Sequence, residues 1–238
     1  MWQQVAVGAI FFVAMVVNAI TGFAGNLLAM PGTIQLIGMS DAKVISTLIG
    51  TYNCVVLAFM TWRFVNWHEV KKITVLIIPG MLVGFWLYYF LDVKVLLYIY
   101  GSVIVAVAIR TFLKQDGPRK MGLITTLLVM FFAGLMQSLF VSGGAFVVLY
   151  AVCVFKDKDE FRATLSTLWV FLNLIVLAQE GIAGEINTDN FLLSLYVGIP
   201  ALFGIYFGNR IHHKVSGKTF FNIANVLLLI SGLSCFLK

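Results

Sequence analysis

Residues 46–58 read STLIGTYNCVVLA, and residues 166–178 read STLWVFLNLIVLA. Aligned without a gap at an offset of 120, the two stretches are identical at seven of thirteen positions. A composition this apolar would give roughly one or two identities by chance. The sequence therefore predicts two copies of one unit, an N-terminal repeat over residues 1–116 and a C-terminal repeat over residues 117–238.

The composition indicates that both copies lie in a membrane. Hydrophobic residues make up 61% of the chain and charged residues 11%, against about half and a quarter in soluble domains. Uncharged runs of about 20 residues recur, which is enough to cross a hydrocarbon core of ~30 Å. The net charge of +6 comes from bases between the apolar runs, a pattern that sets membrane orientation rather than nucleic-acid binding. The expected fold is an all-α polytopic membrane protein.

The two halves show the same order of apolar segments. The segments are 5–39, 44–62, 73–91 and 95–113, then 121–155, 163–179, 191–208 and 220–237. The segment that opens each half is too long for one crossing and contains a glycine-rich break, at residues 21–26 and 142–145. We predict that each half is a broken or re-entrant helical hairpin followed by three transmembrane helices.

The basic residues favour one topology. If each long segment crosses once, the sixteen Lys and Arg divide equally between the two sides of the membrane. If each long segment returns to its side of entry, thirteen fall on one side and three on the other, as the positive-inside rule expects. The second arrangement predicts an inverted repeat in the cytoplasmic membrane, with both termini on the non-cytoplasmic side. It also lets the tips of the two hairpins approach each other near the midplane.

The two breaks suggest where an anion could bind. A broken helix offers free N–H groups and the positive end of a dipole, and glycine lets the backbone approach a ligand. Hydroxyl groups near the start of each repeated span could complete the site. The predicted substrate-binding residues are Gly22, Gly25, Asn26, Ser46, Thr47, Ser142, Gly143, Gly144, Ser166 and Thr167. The alternative is that the glycines allow close helix packing and the polar groups form interhelical bonds, as we expect for Gly80, Gly84, Gly204 and Gly208.

A second set of polar residues is expected to support the site. Asn53 and Asn173 follow the two threonines by six residues, so their side chains point about 120° away from the threonines on a helix. We expect them to bond backbone groups that are freed at the breaks. Asn18, Gln137 and Ser138 are further supporting residues near the breaks.

The sequence lacks the groups that proton relays, membrane enzymes and metal sites use. No Asp, Glu, Lys, Arg or His lies centrally in a full span, although proton relays in membranes use such groups. Glu180, at the end of a span, is the nearest candidate for a coupling carboxylate, but a solvated loop acid is the stronger interpretation. No residue is predicted to be catalytic, and no metal ligands or cofactor are predicted, because the chain shows neither a nucleophile–histidine pair nor ligand spacing.

The stretch DEFRATLSTLW at 159–169 and its first-half counterpart GMSDAKVIST at 38–47 carry a family resemblance. Together with the duplicated halves and the two breaks, they resemble the TauE/SafE sulfite exporter family, also called the toluene sulfonate uptake permease family. The first break has fewer adjacent glycines than is usual there. The resemblance implies transport of small sulfur-containing anions such as sulfite, sulfonates or sulfoacetate.

The leading hypothesis is a secondary transporter or facilitator for such an anion, held between the two breaks. Export of an anion from a negative interior is favoured by about 2.3 kcal/mol per charge at 100 mV and needs no coupling ion. An anion channel, a membrane enzyme of sulfur metabolism and a non-transporting scaffold are the alternatives. The expected partners are the anion and the lipid bilayer, without nucleic acid, and a homodimer is left open.

Overall fold

The computed structural model describes residues 2–113 and 121–212, together with the single residues 226, 229, 233 and 236. Residues 2–113 and 121–212 form nine α-helices and one short 3₁₀ turn at Trp62–Phe64. The helices are α1 (Trp2–Thr21), α2 (Gly25–Ile37), α3 (Met39–Thr61), α4 (Trp67–Tyr88), α5 (Val93–Leu113), α6 (Leu123–Phe140), α7 (Gly144–Val154), α8 (Lys158–Ile182) and α9 (Thr188–His212).

The all-α membrane fold is confirmed. Six of the described helices, α1, α3, α4, α6, α8 and α9, are long and apolar enough to cross a membrane. The predicted segments match the helices to within about six residues, and the largest differences are at the starts of α3, α4 and α8, which begin five or six residues before the predicted segments. The predicted last span, 220–237, and the boundary between the halves at 116/117 lie outside the ranges that the structure describes.

Each half opens with a helical hairpin, as predicted. In the first half α1 ends at Thr21, Gly22 takes a φ of 79°, and α2 begins at Gly25. The turn is closed by Thr21 Oγ1, which accepts hydrogen bonds from the N–H groups of Phe23 and Ala24 at 3.4 and 3.3 Å. In the second half α6 ends at Phe140 and α7 begins at Gly144. At 1.5 Å per residue, α2 and α7 are only about 20 and 16 Å long, too short to cross the hydrocarbon core alone.

Small residues bring the long helices together in two equivalent pairs. A Cβ added to Gly84 of α4 would lie 2.9 Å from the carbonyl oxygen of Leu135 in α6. A Cβ added to Gly204 of α9 would lie 2.5 Å from the carbonyl oxygen of Phe12 in α1. Gly84 and Gly204 are 120 residues apart, so the α4–α6 pair corresponds to the α1–α9 pair. Both glycines therefore serve close helix packing, as expected from the sequence.

Helices α3 and α8, which carry the repeated motif, cross in the middle of the protein. Thr47 near the start of α3 bonds to Glu180 near the end of α8 at 2.9 Å. Asn66, just after α3, bonds to Glu160 near the start of α8, also at 2.9 Å. The two copies of the motif thus run antiparallel, as the two halves of an inverted repeat would. The inversion across a membrane and the side on which the termini lie stay predictions.

Candidate functional site

The two helix breaks meet in the interior of the protein. A Cβ added to Gly144, the first residue of α7, would lie 2.9 Å from the carbonyl oxygen of Phe23 and 3.3 Å from its Cβ. Only glycine allows the backbone of one break to come this close to the other. The predicted approach of the two hairpin tips is therefore confirmed as a direct contact.

A small cavity lies beside this contact. Its lining residues come from both breaks and from the middle of α3 and α8, and all of them are uncharged. They are Met15, Asn18, Phe23, Asn26, Gly50, Cys54, Gln137, Val141, Ser142, Gly144, Trp169 and Asn173. The volume of the cavity that is open to the centre of a water-sized molecule is about 20 Å³. This is roughly the room that one water needs. It is a small, partly enclosed site of mixed polarity whose hydrogen-bonding groups are mostly side-chain amides.

Two of these amides hold the breaks in place. Asn18, in the last turn of α1, accepts a hydrogen bond on Oδ1 from the Gly25 N–H at 3.4 Å. Gln137, in the last turn of α6, accepts one on Oε1 from the Gly143 N–H at 3.1 Å. Each amide thus satisfies a backbone donor at the break that follows its own helix. Gln137 also donates from Nε2 to Asn173 Oδ1 at 2.8 Å, which links the second break to α8.

Unpartnered amide groups lie at or near the cavity. Asn26 donates weakly from Nδ2 to the carbonyl oxygen of Ser46 at 3.5 Å, and its Oδ1 is buried without a partner among the described residues. Asn53 was expected to bond backbone groups at the breaks, but both of its buried amide atoms lack a partner in the same described part. The backbone groups at the breaks are instead bonded by Asn18 and Gln137.

The structure brings some of the predicted binding residues to the cavity and leaves others away from it. Asn26, Ser142 and Gly144 line it, together with the supporting residues Asn18, Gln137 and Asn173. The predicted residues that do not line it are Gly22, Gly25 and Gly143 in the breaks and Ser46, Thr47, Asn53, Ser138, Ser166 and Thr167 in the helices. Binding of an anion by any of these residues stays a prediction.

Two large aromatic residues at the cavity were not predicted. Phe23 lies within the first break, and Trp169 stands in the repeated motif where the first copy has Ile49. The indole Nε1 of Trp169 donates to the carbonyl oxygen of Gly22 at 2.8 Å, so α8 is tied to the first break. The one signal in the sequence was this change from isoleucine to tryptophan between the two copies.

The expectation for Glu180 is wrong. Glu180 is 0% exposed, and so is Lys43, because α8 continues to Ile182 and α3 begins at Met39. Lys43 Nζ donates to Gln179 Oε1 at 3.2 Å and stands 4.0 Å from the centre of the Tyr88 ring. Charged groups thus lie inside the helical bundle, at the ends of the central helices.

A third buried charge lies at the opposite end of α8. Arg162 is 3% exposed, donates from a terminal nitrogen to Asn209 Oδ1 at 2.7 Å, and has a buried Nε without a partner among the described residues. Arg162, Trp169, Asn173 and Glu180 are spaced by seven, four and seven residues, which places them on one face of α8 over about 27 Å. This face of α8 therefore carries the buried Arg162 at one end, residues that line the cavity in the middle, and the buried Glu180 at the other end.

The described residues hold no group of three or more His, Cys, Asp or Glu that could bind a metal ion. The side chains at the cavity are donors and acceptors of hydrogen bonds, so the arrangement suits binding of a polar solute.

Comparison with known proteins assigns the chain to a class. The sequence profile of the family described as "Sulfite exporter TauE/SafE" matches residues 7–235. The chain therefore belongs to the TauE/SafE sulfite exporter family, whose members are membrane transporters. It is also 27% identical over 177 residues to the probable inner membrane transporter protein TsaS of Comamonas testosteroni, an alignment covering 74% of each chain. No solved structure matches the chain.

Proposed function

We propose that this transporter is a secondary transporter or facilitator that moves small sulfur-containing anions, such as sulfite, sulfonates or sulfoacetate, across the cytoplasmic membrane. The anion is held between the two helix breaks. The observation that carries the proposal is the small cavity where the breaks touch, lined by amide groups and by the first residue of α7. Family membership supports the class of substrate.

The chemistry of the cavity suits an oxyanion. The first N–H groups of a helix have no acceptor within that helix, and the helix dipole is positive there. Asn18 and Gln137 bond the N–H groups of Gly25 and Gly143, which leaves the next N–H groups, those of Asn26 and Gly144, for a ligand. The oxygens of sulfite or a sulfonate only accept hydrogen bonds, so they match these donors. Binding by neutral groups compensates the charge only partly and permits release.

The size of the cavity favours a transporter over an open channel. Space for about one water is less than a sulfonate group needs, so the cavity has to widen before it can hold one. Binding then requires the two tips to separate, and access to one side at a time follows if the two hairpins move in turn. This fits the general behaviour of transporters that place a site between two repeats.

Arg162 is proposed to attract the anion on one side of the site. It lies two helical turns from Trp169 on the same face of α8, about 10 Å along the helix axis. Among the described residues its guanidinium bonds to the neutral Asn209 and makes no ion pair with a carboxylate. Asp159 in the same turn compensates this buried cation in part, and a buried cation without a direct ion pair favours a nearby anion.

The test is anion flux into proteoliposomes that contain the purified protein, with sulfite, sulfoacetate, sulfate and chloride as probes. Wild-type protein is expected to give saturable, potential-dependent flux of a sulfur oxyanion. Asn26→Asp places a carboxylate in the cavity and is expected to lower the ratio of maximal flux to KM at least tenfold, since like charges within about 4 Å repel by several kcal/mol.

The matched control is Asn187→Asp, which makes the same change at the start of α9. There the side-chain oxygen of Asn187 accepts a hydrogen bond from the Asn190 N–H group, and aspartate can cap a helix in the same way. The control is expected to transport like wild type. Absence of flux for every probe, or equal flux in Asn26→Asp and wild type, would overturn the proposal.

A further inference from the structure

We infer that Glu180 binds a proton during each transport cycle and that Lys43 is the counter-ion which Glu180 and the transported anion share in turn. The inference rests on the proposed function and adds proton coupling to it. It makes the protein able to accumulate an anion against the membrane potential, which a facilitator without a coupling ion cannot do.

The first observation is the burial of two opposite charges that do not pair directly. Glu180 and Lys43 are both 0% exposed, and in the described structure they make no ion pair with each other. Glu180 Oε2 is buried and has no hydrogen-bond partner there. Because an isolated buried charge is costly, the charge on Lys43 depends on the nearby carboxylates of Glu180 and Glu185, and protonation of Glu180 leaves it short of negative charge unless an anion binds.

The second observation is a hydroxyl group that suits both protonation states of Glu180. Thr47 Oγ1 lies 2.9 Å from the carbonyl oxygen of Lys43 and 2.9 Å from Glu180 Oε1. A hydroxyl has one hydrogen to donate and two lone pairs that accept. It donates to Glu180 when the carboxylate is ionised. When Glu180 is protonated on Oε1, the acid donates to Thr47, and Thr47 donates to the Lys43 carbonyl group.

The surroundings favour a proton over a metal cation. The titratable groups that face Glu180 and Lys43 are Tyr88 and Tyr89 at the end of α4 and Glu185 after α8. A sodium ion here would add a second positive charge next to the buried ammonium group. A proton neutralises the carboxylate without adding an ion, so an anion that binds then restores negative charge near Lys43.

The third observation is a structural link between Glu180 and the cavity. Asn173, which lines the cavity, and Glu180 are seven residues apart on one face of α8, about 10 Å along the axis. On α3, Gly50 lines the cavity one turn from Thr47, which bonds to Glu180. Separation of the breaks would therefore move the two helices that hold the carboxyl group.

The transport cycle follows from these contacts. With no anion bound, ionised Glu180 offsets Lys43. An anion that arrives between the breaks, about 10 Å away along the helices, supplies negative charge that offsets Lys43 while one Glu180 oxygen gains a proton from the same side, which forms one O–H bond. After the tips change position, that bond breaks, the proton leaves to the other side with the anion, and Glu180 offsets Lys43 again. One proton moves with each anion, and no other reactant is needed.

The test uses the full chain in proteoliposomes with sulfoacetate, whose acid groups stay ionised near neutral pH. The potential is clamped by potassium and valinomycin, and a dye inside the vesicles reports pH. Wild-type protein is expected to acidify the interior when sulfoacetate enters and to concentrate sulfoacetate at least fivefold when the outside is one pH unit more acidic. Glu180→Gln is expected to abolish both effects, while sulfoacetate still enters downhill at a measurable but lower rate, because Lys43 then lacks this partner in the empty protein.

Glu160→Gln is the matched control, because it makes the same change at the other end of α8 and keeps an acceptor for Asn66. It is expected to behave like wild type in both measurements. Lys43→Gln is a second variant, expected to raise the KM for sulfoacetate at least tenfold.

Different outcomes overturn different claims. Wild-type flux that runs downhill but ignores a pH gradient, or follows a sodium gradient, overturns proton coupling and leaves the proposed function standing. Proton-driven accumulation that persists in Glu180→Gln overturns the assignment to Glu180. Absence of flux for every anion in wild-type protein overturns the proposed function and, with it, this inference. The measurement on wild-type protein tests proton coupling even if a variant does not fold.

Discussion

Replacing Gln137 by methionine tests how the second break is held. The Gln137 side chain accepts from the Gly143 N–H at 3.1 Å and donates to Asn173 Oδ1 at 2.8 Å. Methionine has a similar length and fills similar space, but it makes neither bond. The variant leaves a backbone donor at the break and an amide oxygen at the cavity without partners.

The expected cost follows from the number of bonds lost. Hydrogen bonds between membrane helices contribute about 0.6 kcal/mol on average and at most about 1.7, so two lost bonds lower the free energy of unfolding by roughly 1–3 kcal/mol. If the same energy holds the site in its binding geometry, the ratio of maximal flux to KM falls about 5- to 100-fold, since 1.4 kcal/mol is a factor of ten.

Both quantities are measurable on purified protein. Unfolding by denaturant in detergent micelles gives the change in stability, and flux into proteoliposomes gives the change in transport. Gln3→Met is the matched control, because the Gln3 side chain bonds the Leu36 carbonyl group at an exposed position. If Gln137→Met has the same free energy of unfolding as wild type and its flux stays within twofold of wild type, Gln137 does not hold the break as described.

Two further predictions concern packing and charge. Gly84→Ala is expected to lower the free energy of unfolding by about 1–3 kcal/mol, since its Cβ would collide with the Ser138 hydroxyl group. Gly122→Ala is the control, because a Cβ there meets nothing within 4 Å. Equal unfolding midpoints for the two variants would contradict the α4–α6 contact. Arg162→Gln removes a charge about 10 Å from the cavity, worth roughly 1.7 kcal/mol at an effective dielectric constant of about 20, so flux at low anion concentration should fall about 15-fold. Lys158→Gln, exposed in the same turn of α8, should leave flux unchanged, and a similar loss in both variants would argue against a specific role for Arg162.

The sequence predicted the hairpins because their signals are local. A run too long for one crossing with a glycine-rich break in the middle indicates a hairpin whatever its surroundings, and Gly22 and Gly144 were identified in this way. The repeated motif also identified α3 and α8 as equivalent helices. Charge counts predicted the inversion of the halves, and the antiparallel crossing of α3 and α8 supports that prediction.

The composition of the cavity was harder to predict, because it depends on which helix faces which. Ser46, Thr47, Ser166 and Thr167 were chosen for their symmetry, yet the residues of the same motif that line the cavity lie further along each helix, at Gly50, Cys54, Trp169 and Asn173. The rotation of α3 and α8 about their axes is set by tertiary packing.

The burial of Lys43 and Glu180 was missed for a different reason. Both residues lie beyond the ends of the apolar segments, where a hydropathy pattern expects water. The helices continue past the apolar segments, and the ends of α4 and α8 cover these side chains with Tyr88 and Gln179. A charge at the end of a span is solvated or buried according to its neighbours, which the segment itself does not specify.

The most direct measurement of the central claim is whether the anion occupies the cavity between the breaks. Cys54 lines that cavity, so in a Cys153→Ser, Cys235→Ser background it reports access to the site through its rate of reaction with a small thiol reagent. If the anion binds there, saturating sulfoacetate should slow the modification of Cys54 at least fivefold, and sodium chloride at equal ionic strength should not. An unchanged rate under conditions where sulfoacetate flux is saturated would place the anion elsewhere and contradict the account.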